Sequence, residues 1–258
     1  MTLHFHKYQA TGNDFILIDN RSGSVALTTE QVRKLCDRRL GIGADGLMLI
    51  EKDPSLSFNL LYYNSDGTQS LCGNGSRAAM HFASSLGLVQ NEAKFNAYDG
   101  SHEAHILHSG LIRLKMNNVT EVRAFASDLY LNTGSPHYIR FVEHVENYPV
   151  TEEGRKIRNS DSFTPDGTNV NFVELQGDNT IFVRTYERGV ENETLSCGTG
   201  VTAAALASSL HGNNSPVTVN TRGGKLTVEF ARTPTSNAFT DIFLVGPAIK
   251  VFEGRIEL

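Results

Sequence analysis

The pattern of apolar and polar positions predicts many strands and few helices. Apolar stretches rich in β-branched and aromatic residues cover positions 15–19, 47–51, 58–63, 111–116, 138–143, 170–175, 181–186, 226–230 and 249–252. Three segments carry helical signals instead. The first opens at Thr28, where Gln31 completes a capping box; it places Val32, Leu35 and Cys36 on one face and stops near Gly41. That face assigns Cys36 to packing. The other two helices begin directly after Cys72 and Cys197.

Those two segments are copies of each other. Residues 72–84, CGNGSRAAMHFAS, align without gaps on residues 197–209, CGTGVTAAALASS, at an offset of 125 (197 less 72). Each copy follows a predicted strand and a polar loop, NSDGTQSL in the first case and ERGVENETLS in the second. The offset is close to half the chain, so an internal duplication into two related halves is the simplest account. The second copy is small or apolar on nearly every side, which marks a helix wrapped by sheet.

Composition narrows the class. The 258 residues include 23 Lys plus Arg and 28 Asp plus Glu, a formal charge of −5, and 40% are hydrophobic. This suits a chain with a sizeable core and argues against a surface built for nucleic acid or anionic lipid. No apolar run is long enough to span a bilayer and the N-terminus lacks a signal-peptide pattern, so a cytoplasmic location and no membrane partner are expected. Three cysteines, with no C-x-x-C spacing, suggest neither a disulfide framework nor structural zinc.

Two further motifs fail on context. Gly41-Ile-Gly-Ala-Asp-Gly46 matches the dinucleotide fingerprint, yet it follows a predicted helix and leads into a strand, the reverse of the Rossmann order. It reads as a helix stop and turn. His4/His6 and His102/His105/His108 lie in strand-like stretches whose odd and even positions point to opposite faces, and no H-E-x-x-H occurs, so no metal site is expected.

The paired cysteines point to chemistry. A helix N-terminus carries unsatisfied N–H donors and about half a unit of positive charge, so it favours an ionised thiol and a bound anion. The glycines after each cysteine let a ligand approach the backbone. A hydrolase needs only one such nucleophile, whereas inverting a carbon centre needs a base on one face and an acid on the other. Two equivalent thiols across a shared cleft, one ionised and one protonated, meet that need. The alternatives are an amino-acid-binding protein that uses the helix ends as an anion site, and a cysteine hydrolase with His137 as partner.

These residues resemble the cofactor-independent diaminopimelate epimerases. The likeness runs through Thr11-Gly-Asn-Asp-Phe15, Asn64-Ser-Asp-Gly67, Cys72-Gly-Asn-Gly75, Gly134-Ser-Pro-His137, Thr168-Asn-Val170, Tyr186-Glu-Arg-Gly189, Cys197-Gly-Thr-Gly200 and Gly223-Gly224. It implies an α/β fold of two pseudo-symmetric lobes, each a curled, barrel-like mixed sheet around a central helix. The expected lobes are residues 1–118, completed by a strand at 247–258, and residues 119–246. It also implies interconversion of L,L- and meso-diaminopimelate for lysine and cell-wall precursors in a bacterial-type cytoplasm, by a homodimer with no cofactor. By the same resemblance, Cys72 and Cys197 are the acid/base pair, and His137 and Glu187 tune them. Gly73, Asn74, Gly198 and Thr199 cradle the reacting carboxylate. Asn13 and Glu187 lie near the reacting amino group, while Asn64, Asn169 and Arg188 hold the distal amino-acid end. Three positions depart from the family pattern: Gly46 stands where many members carry Gln, Ser135 replaces a frequent Asn, and Ala10 replaces Gly. Proline and hydroxyproline racemases share the implied fold, but their ligand has no distal amino-acid end, so the set Asn64, Asn169 and Arg188 favours diaminopimelate.

Overall fold

A computed structural model of the protein describes residues 2–233 and 237–258. The chain divides into two compact units, Met1–Leu114 with Gly246–Leu258, and Lys115–Val245. In chain order the first contains β1 (Thr2–Ala10), β2 (Asn13–Asp19), α1 (Thr29–Cys36), β3 (Gly46–Glu51), β4 (Phe58–Asn64), α2 (Gly73–Ser85), β5 (Glu92–Ala97), β6 (Gly100–Ile106) and β7 (Ile112–Lys115). The second contains β8 (Arg123–Phe125), β9 (Asp128–Asn132), β10 (Pro136–Phe141), α3 (Val150–Arg158), β11 (Asn169–Gly177), β12 (Thr180–Glu187), β13 (Asn192–Thr194), α4 (Gly198–Ser208), β14 (Val217–Thr221), β15 (Gly224–Arg232) and β16 (Phe239–Gly246). A last strand, β17 (Ile249–Glu257), returns to the first unit and pairs antiparallel with β1.

The duplication is written in the strand pairing. In the first unit the ladder runs β17, β1, β2, β3, β4, β5, β6, β7, with β2–β3 and β4–β5 parallel and the other pairs antiparallel. In the second it runs β8, β9, β10, β11, β12, β14, β15, β16, with β10–β11 and β12–β14 parallel and the rest antiparallel. The two orders are the same sequence of antiparallel and parallel joints. A parallel joint needs a crossover, and the helices supply it at matching places: α1 and α3 at the first joint, α2 and α4 at the second.

Each sheet is covered on both faces. The helix α2 lies against β1, β2, β3, β6 and β17, and α4 against β9, β10, β11, β12, β14 and β15, so each sheet curls around its own helix. On the opposite face of the first sheet, Val32, Leu35 and Cys36 of α1 pack on Phe5, Ile16, Leu47 and Leu49. In the second unit Val150 of α3 packs with Tyr138, Val170, Phe172 and Tyr186. Burial on both faces explains why β3 reads as the unbroken apolar run Leu47-Met-Leu-Ile50 rather than an alternation. Every α4 residue from Gly200 to Ser208 is buried, and its alanines let the sheet approach closely.

The capping box forms as expected: Thr28 accepts from Gln31 N and Gln31 returns the bond. The helix is shorter than expected, ending at Cys36 rather than near Gly41. Asp37 turns extended, and its Oδ1 accepts from Arg39 N at 2.7 Å and Leu40 N at 2.6 Å, so a side-chain turn replaces the last helical turn. The helix α3 and the strands β5, β8, β9, β13, β14 and β16 are not among the elements the sequence pattern predicts, while β1 and β6 coincide with the strand-like stretches around His4/His6 and His102/His105. No helix among the described residues is long and apolar enough to cross a membrane.

Candidate active site

Each unit gathers its candidate residues at one end of its sheet. Because β2 and β3 are parallel and β4 is antiparallel to them, the start of β2, the start of β3 and the end of β4 share an edge. The start of β10, the start of β11 and the end of β12 do the same. At these places stand Asn13, Gly46 and Asn64 in the first unit, and His137, Asn169 and Glu187 in the second. The loop leaving that edge ends in the cysteine that caps the central helix.

In the first unit Cys72 is the N-cap residue of α2, with Gly73 and Asn74 at the first two helical positions, and its Sγ accepts from Gly75 N at 3.4 Å. Asn13 Oδ1 accepts from Cys72 Sγ at 3.5 Å and from Asn74 Nδ2 at 3.4 Å. The amide is oriented from its other side, because Asn13 Nδ2 donates to Asp45 Oδ2 at 2.5 Å. Arg38 bridges Asp45 and Asp14 at 2.8 and 2.7 Å. Burial pulls Asp14 upward, but bonds from Arg38 and Lys7 outweigh it and hold the carboxyl at about 2. Asn64 is not brought to the sulfur by its own bonds: Nδ2 donates to Thr68 Oγ1 at 3.0 Å and Oδ1 accepts from Ser70 Oγ at 3.1 Å, within the loop that leads to Cys72.

In the second unit Cys197 caps α4, with Gly198 and Thr199 next in line. Here the link to the sulfur is a relay. Asn171 Nδ2 donates to Tyr138 O and to His137 Nδ1, both at 3.1 Å, while its Oδ1 accepts from Thr185 Oγ1 at 2.9 Å. A ring nitrogen that accepts carries no hydrogen, so His137 is the Nε2–H tautomer and donates to Thr199 Oγ1 at 2.9 Å. The Thr199 hydroxyl hydrogen is then available to Cys197 Sγ, 3.5 Å away. The second glycine of the motif is required by this packing, since a Cβ on Gly200 would meet Asn171 Oδ1 at 2.4 Å. Nearby, Arg188 N donates to Asn169 Oδ1 at 2.8 Å, and Glu187 Oε2 accepts from Thr194 Oγ1 at 3.0 Å.

The family model described as diaminopimelate epimerase matches residues 5–122 and 129–251. A protein of Flavobacterium psychrophilum named diaminopimelate epimerase is 49% identical over 258 residues, covering 98% of this chain and 100% of the relative. The protein of that name from Aquifex aeolicus is 41% identical over 277 residues, covering 98% of both. The chain belongs to the diaminopimelate epimerase family. The family is one of isomerases. Solved structures share the fold at low identity: a Bacillus anthracis phenazine biosynthesis protein has a TM-score of 0.78 at 14% identity over the full length of both chains. A probable proline racemase from Agrobacterium radiobacter has a TM-score of 0.72 at 14% identity, covering 99% of this chain and 93% of that one.

A Cβ on Gly46 would come within 2.6 Å of the buried Tyr62 ring, so that ring occupies the space a side chain at this position would need. The expectation for His4 and His6 needs correction. Residues two apart in a strand share a face, and the structure sets the two rings 4.8 Å apart. Their donor atoms and that of Glu253 all lie within 4.8 Å of one another, although Lys250 Nζ holds Glu253 Oε2 at 2.5 Å. Four contributors were missed by sequence reasoning: Asn171, the Thr199 hydroxyl, Thr185 and Asp45. Asn171 had a signal, a polar residue between Val170 and Phe172 in an otherwise apolar strand.

His137 is fully buried, and burial, helped by the charge of Arg188, pushes it down to about 3 despite the Asn171 bond. It is neutral at physiological pH, and both ring nitrogens are occupied, which disfavours a hydrolase reading with His137 as base. A histidine depressed on folding is protonated first in the unfolded chain. Its contribution to stability is therefore complete above pH 6.5 and is lost as pH falls towards 3. Roughly 2 kcal/mol should disappear between pH 6.5 and pH 5, about 1.4 for each pH unit. Denaturant titrations at both pH values should show this loss, and a His137→Gln variant should lack it; equal losses in both proteins would assign it elsewhere.

Proposed function

We propose that the protein interconverts L,L- and meso-diaminopimelate without a cofactor, Cys72 and Cys197 exchanging a proton on opposite faces of one α-carbon. The observation that carries this reading is the repeated arrangement itself: in each unit a cysteine caps the central helix behind a matching loop, beside a polar side chain from the start of a parallel strand pair. One thiolate takes the α-hydrogen, so the C–H bond breaks, an S–H bond forms and the electron pair spreads into the carboxylate. The other thiol then delivers its proton to the opposite face and is left ionised. The reverse reaction starts from that state.

The α-hydrogen of an amino acid is a weak acid, so charge building on the carboxylate must be held. The N–H groups at the first positions of both helices, Gly73 and Asn74 in α2 and Gly198 and Thr199 in α4, are suited to it. The relay through His137 and Thr199 offers a donor to an ionised Cys197, and the Asn13 amide oxygen offers an acceptor to a protonated Cys72. Asn13 and Glu187 serve the reacting amino group. Asn64, Asn169 and Arg188 bind the distal amino-acid end, where the planar guanidinium matches a carboxylate bidentately.

In deuterated water, reduced protein and either stereoisomer should gain solvent deuterium at one α-carbon as the isomers mix, read by mass spectrometry and NMR. Active-site-titrated protein that mixes the isomers without label would overturn the proton-transfer reading. No mixing and no label would overturn the activity.

A further inference from the structure

Arg77 lies in α2, five residues after Cys72, and is wholly buried. Its bonds are to neutral oxygens: Nη2 donates to Thr11 Oγ1 at 3.2 Å and Nε to Pro247 O at 3.5 Å, while Nη1 has no hydrogen-bond partner among the described residues. Burial pushes the guanidinium down to about 10, which leaves it charged at neutral pH, and the ionisable group that acts against this shift is Cys72. A buried cation without a carboxylate is costly to keep, and an apolar side chain of similar volume is generally tolerated in its place. The first unit carries this cost on the helix capped by its candidate acid/base thiol.

A second link runs through the backbone. Thr11 and Gly12 form the two-residue turn between β1 and β2, with φ of +51° and +85°. Positive φ at both positions is a pattern that favours Asn and Gly, and a β-branched residue there is strained. Arg77 holds the hydroxyl of that strained threonine. The residue that follows the turn is Asn13, whose Oδ1 meets the Cys72 sulfur. The duplicate has no such charge: the position aligned with Arg77 is Thr202, whose hydroxyl bonds back to Gly198 O at 2.9 Å.

We propose that Arg77 is a positioning residue for Cys72: it clamps the turn that sets Asn13 against the sulfur and presents a fixed buried positive charge that balances the thiolate whenever Cys72 gives up its proton. The proposal rests on reading Cys72 as one of the acid/base pair, but its test does not depend on turnover. Arg77→Met, Arg77→Gln and Arg77→Lys, each in a Cys197→Ala background, are alkylated with iodoacetamide over a range of pH beside the parent, and modification of the Cys72 peptide is followed by mass spectrometry. Cys36, pushed up to about 11 by burial, serves as an unreactive internal control.

The two neutral variants should alkylate at Cys72 about tenfold more slowly at neutral pH, with the profile displaced to higher pH. Lys should restore most of the rate, and the Met variant should melt no lower than the parent. A folded Met or Gln variant with the parental profile, or a Lys variant no faster than Met, would overturn the proposal. Thr11→Val, which keeps the shape but removes the acceptor, should also slow Cys72, and Thr11→Asn, which suits the turn, should not. If the neutral Arg77 variants fail to fold, a parental rate in Thr11→Val overturns the clamp. Failed α-proton exchange with the expected alkylation pattern would remove the proposed function and leave Arg77 as a modulator of the thiol; parental alkylation with normal exchange would remove this inference alone.

Discussion

Cys72→Ala and Cys197→Ala should each lose roughly 10²–10⁴ in kcat/KM for epimerisation, the range supplied by a positioned acid or base. The reason is geometric. A carbon cannot be inverted from one side, so the thiol that remains can remove a hydrogen from the face it meets but cannot return one to the other face. The two variants should therefore differ in a specific way. Each should still exchange the α-hydrogen of one stereoisomer with deuterated solvent, and the isomer that exchanges should be opposite in the two. Near-normal turnover in either variant would exclude the two-thiol mechanism. Exchange of both isomers by a single-cysteine variant would show that some other group serves as one base.

The sites that matter for this result were legible because they came twice. A single cysteine before a glycine-rich helix start is weak evidence, and the second copy at an offset of 125 residues made it strong. The pairing order then shows what the sequence concealed: the halves repeat every joint between strands, although few side chains outside the cysteine motif repeat. Asn13 and His137 lie at the starts of β2 and β10, corresponding strands of the two ladders, and have nothing in common as side chains. Each nonetheless orients a group against its own cysteine, one directly and one through Thr199.

What stayed hidden has physical causes. The helix α3 was not anticipated because Val150-Thr-Glu-Glu-Gly-Arg-Lys-Ile-Arg158 is mostly charged and carries a glycine in its interior, although it takes the same place as α1. A strand such as β5 alternates polar and apolar residues over too short a span, with Glu92 and Lys94 on it, to stand out from loops. Nothing in the sequence pattern marks Arg77 as buried, since arginine is rarely buried without a partner. Its burial follows from the sheet that wraps α2, which periodicity in one helix cannot reveal.

Arg184→Met should cost about 3–5 kcal/mol, the range for removing one partner of a buried ion pair. Arg184 points from β12 into the second unit and is nearly buried. Nε and Nη2 donate to the two carboxylate oxygens of Glu193, both at 2.6 Å, and Nη1 donates to Val145 O, Glu146 O and Tyr148 O at 2.7, 2.9 and 2.9 Å. Removing it leaves three carbonyls without their cation and Glu193 with only its bond to Arg222, 3.0 Å away, among the contacts described. Against a typical total of about 5–15 kcal/mol, this is a large fraction. Lysine cannot replace the fork, because a point charge reaches neither both carboxylate oxygens nor three carbonyls at once. The consequence reaches the candidate site, since Glu193 lies on β13, whose pairing with Tyr186 and its neighbours closes the hairpin that carries Glu187 and Arg188. Chemical denaturation checks the number, with Lys156→Met as control: that exposed residue pairs with Glu152 and Glu153 at 2.9 and 2.8 Å, and its loss should change stability by less than about 1 kcal/mol. A similarly small loss for Arg184→Met would mean that water enters beside β13, and that the hairpin under Glu187 and Arg188 is held by its backbone pairing alone.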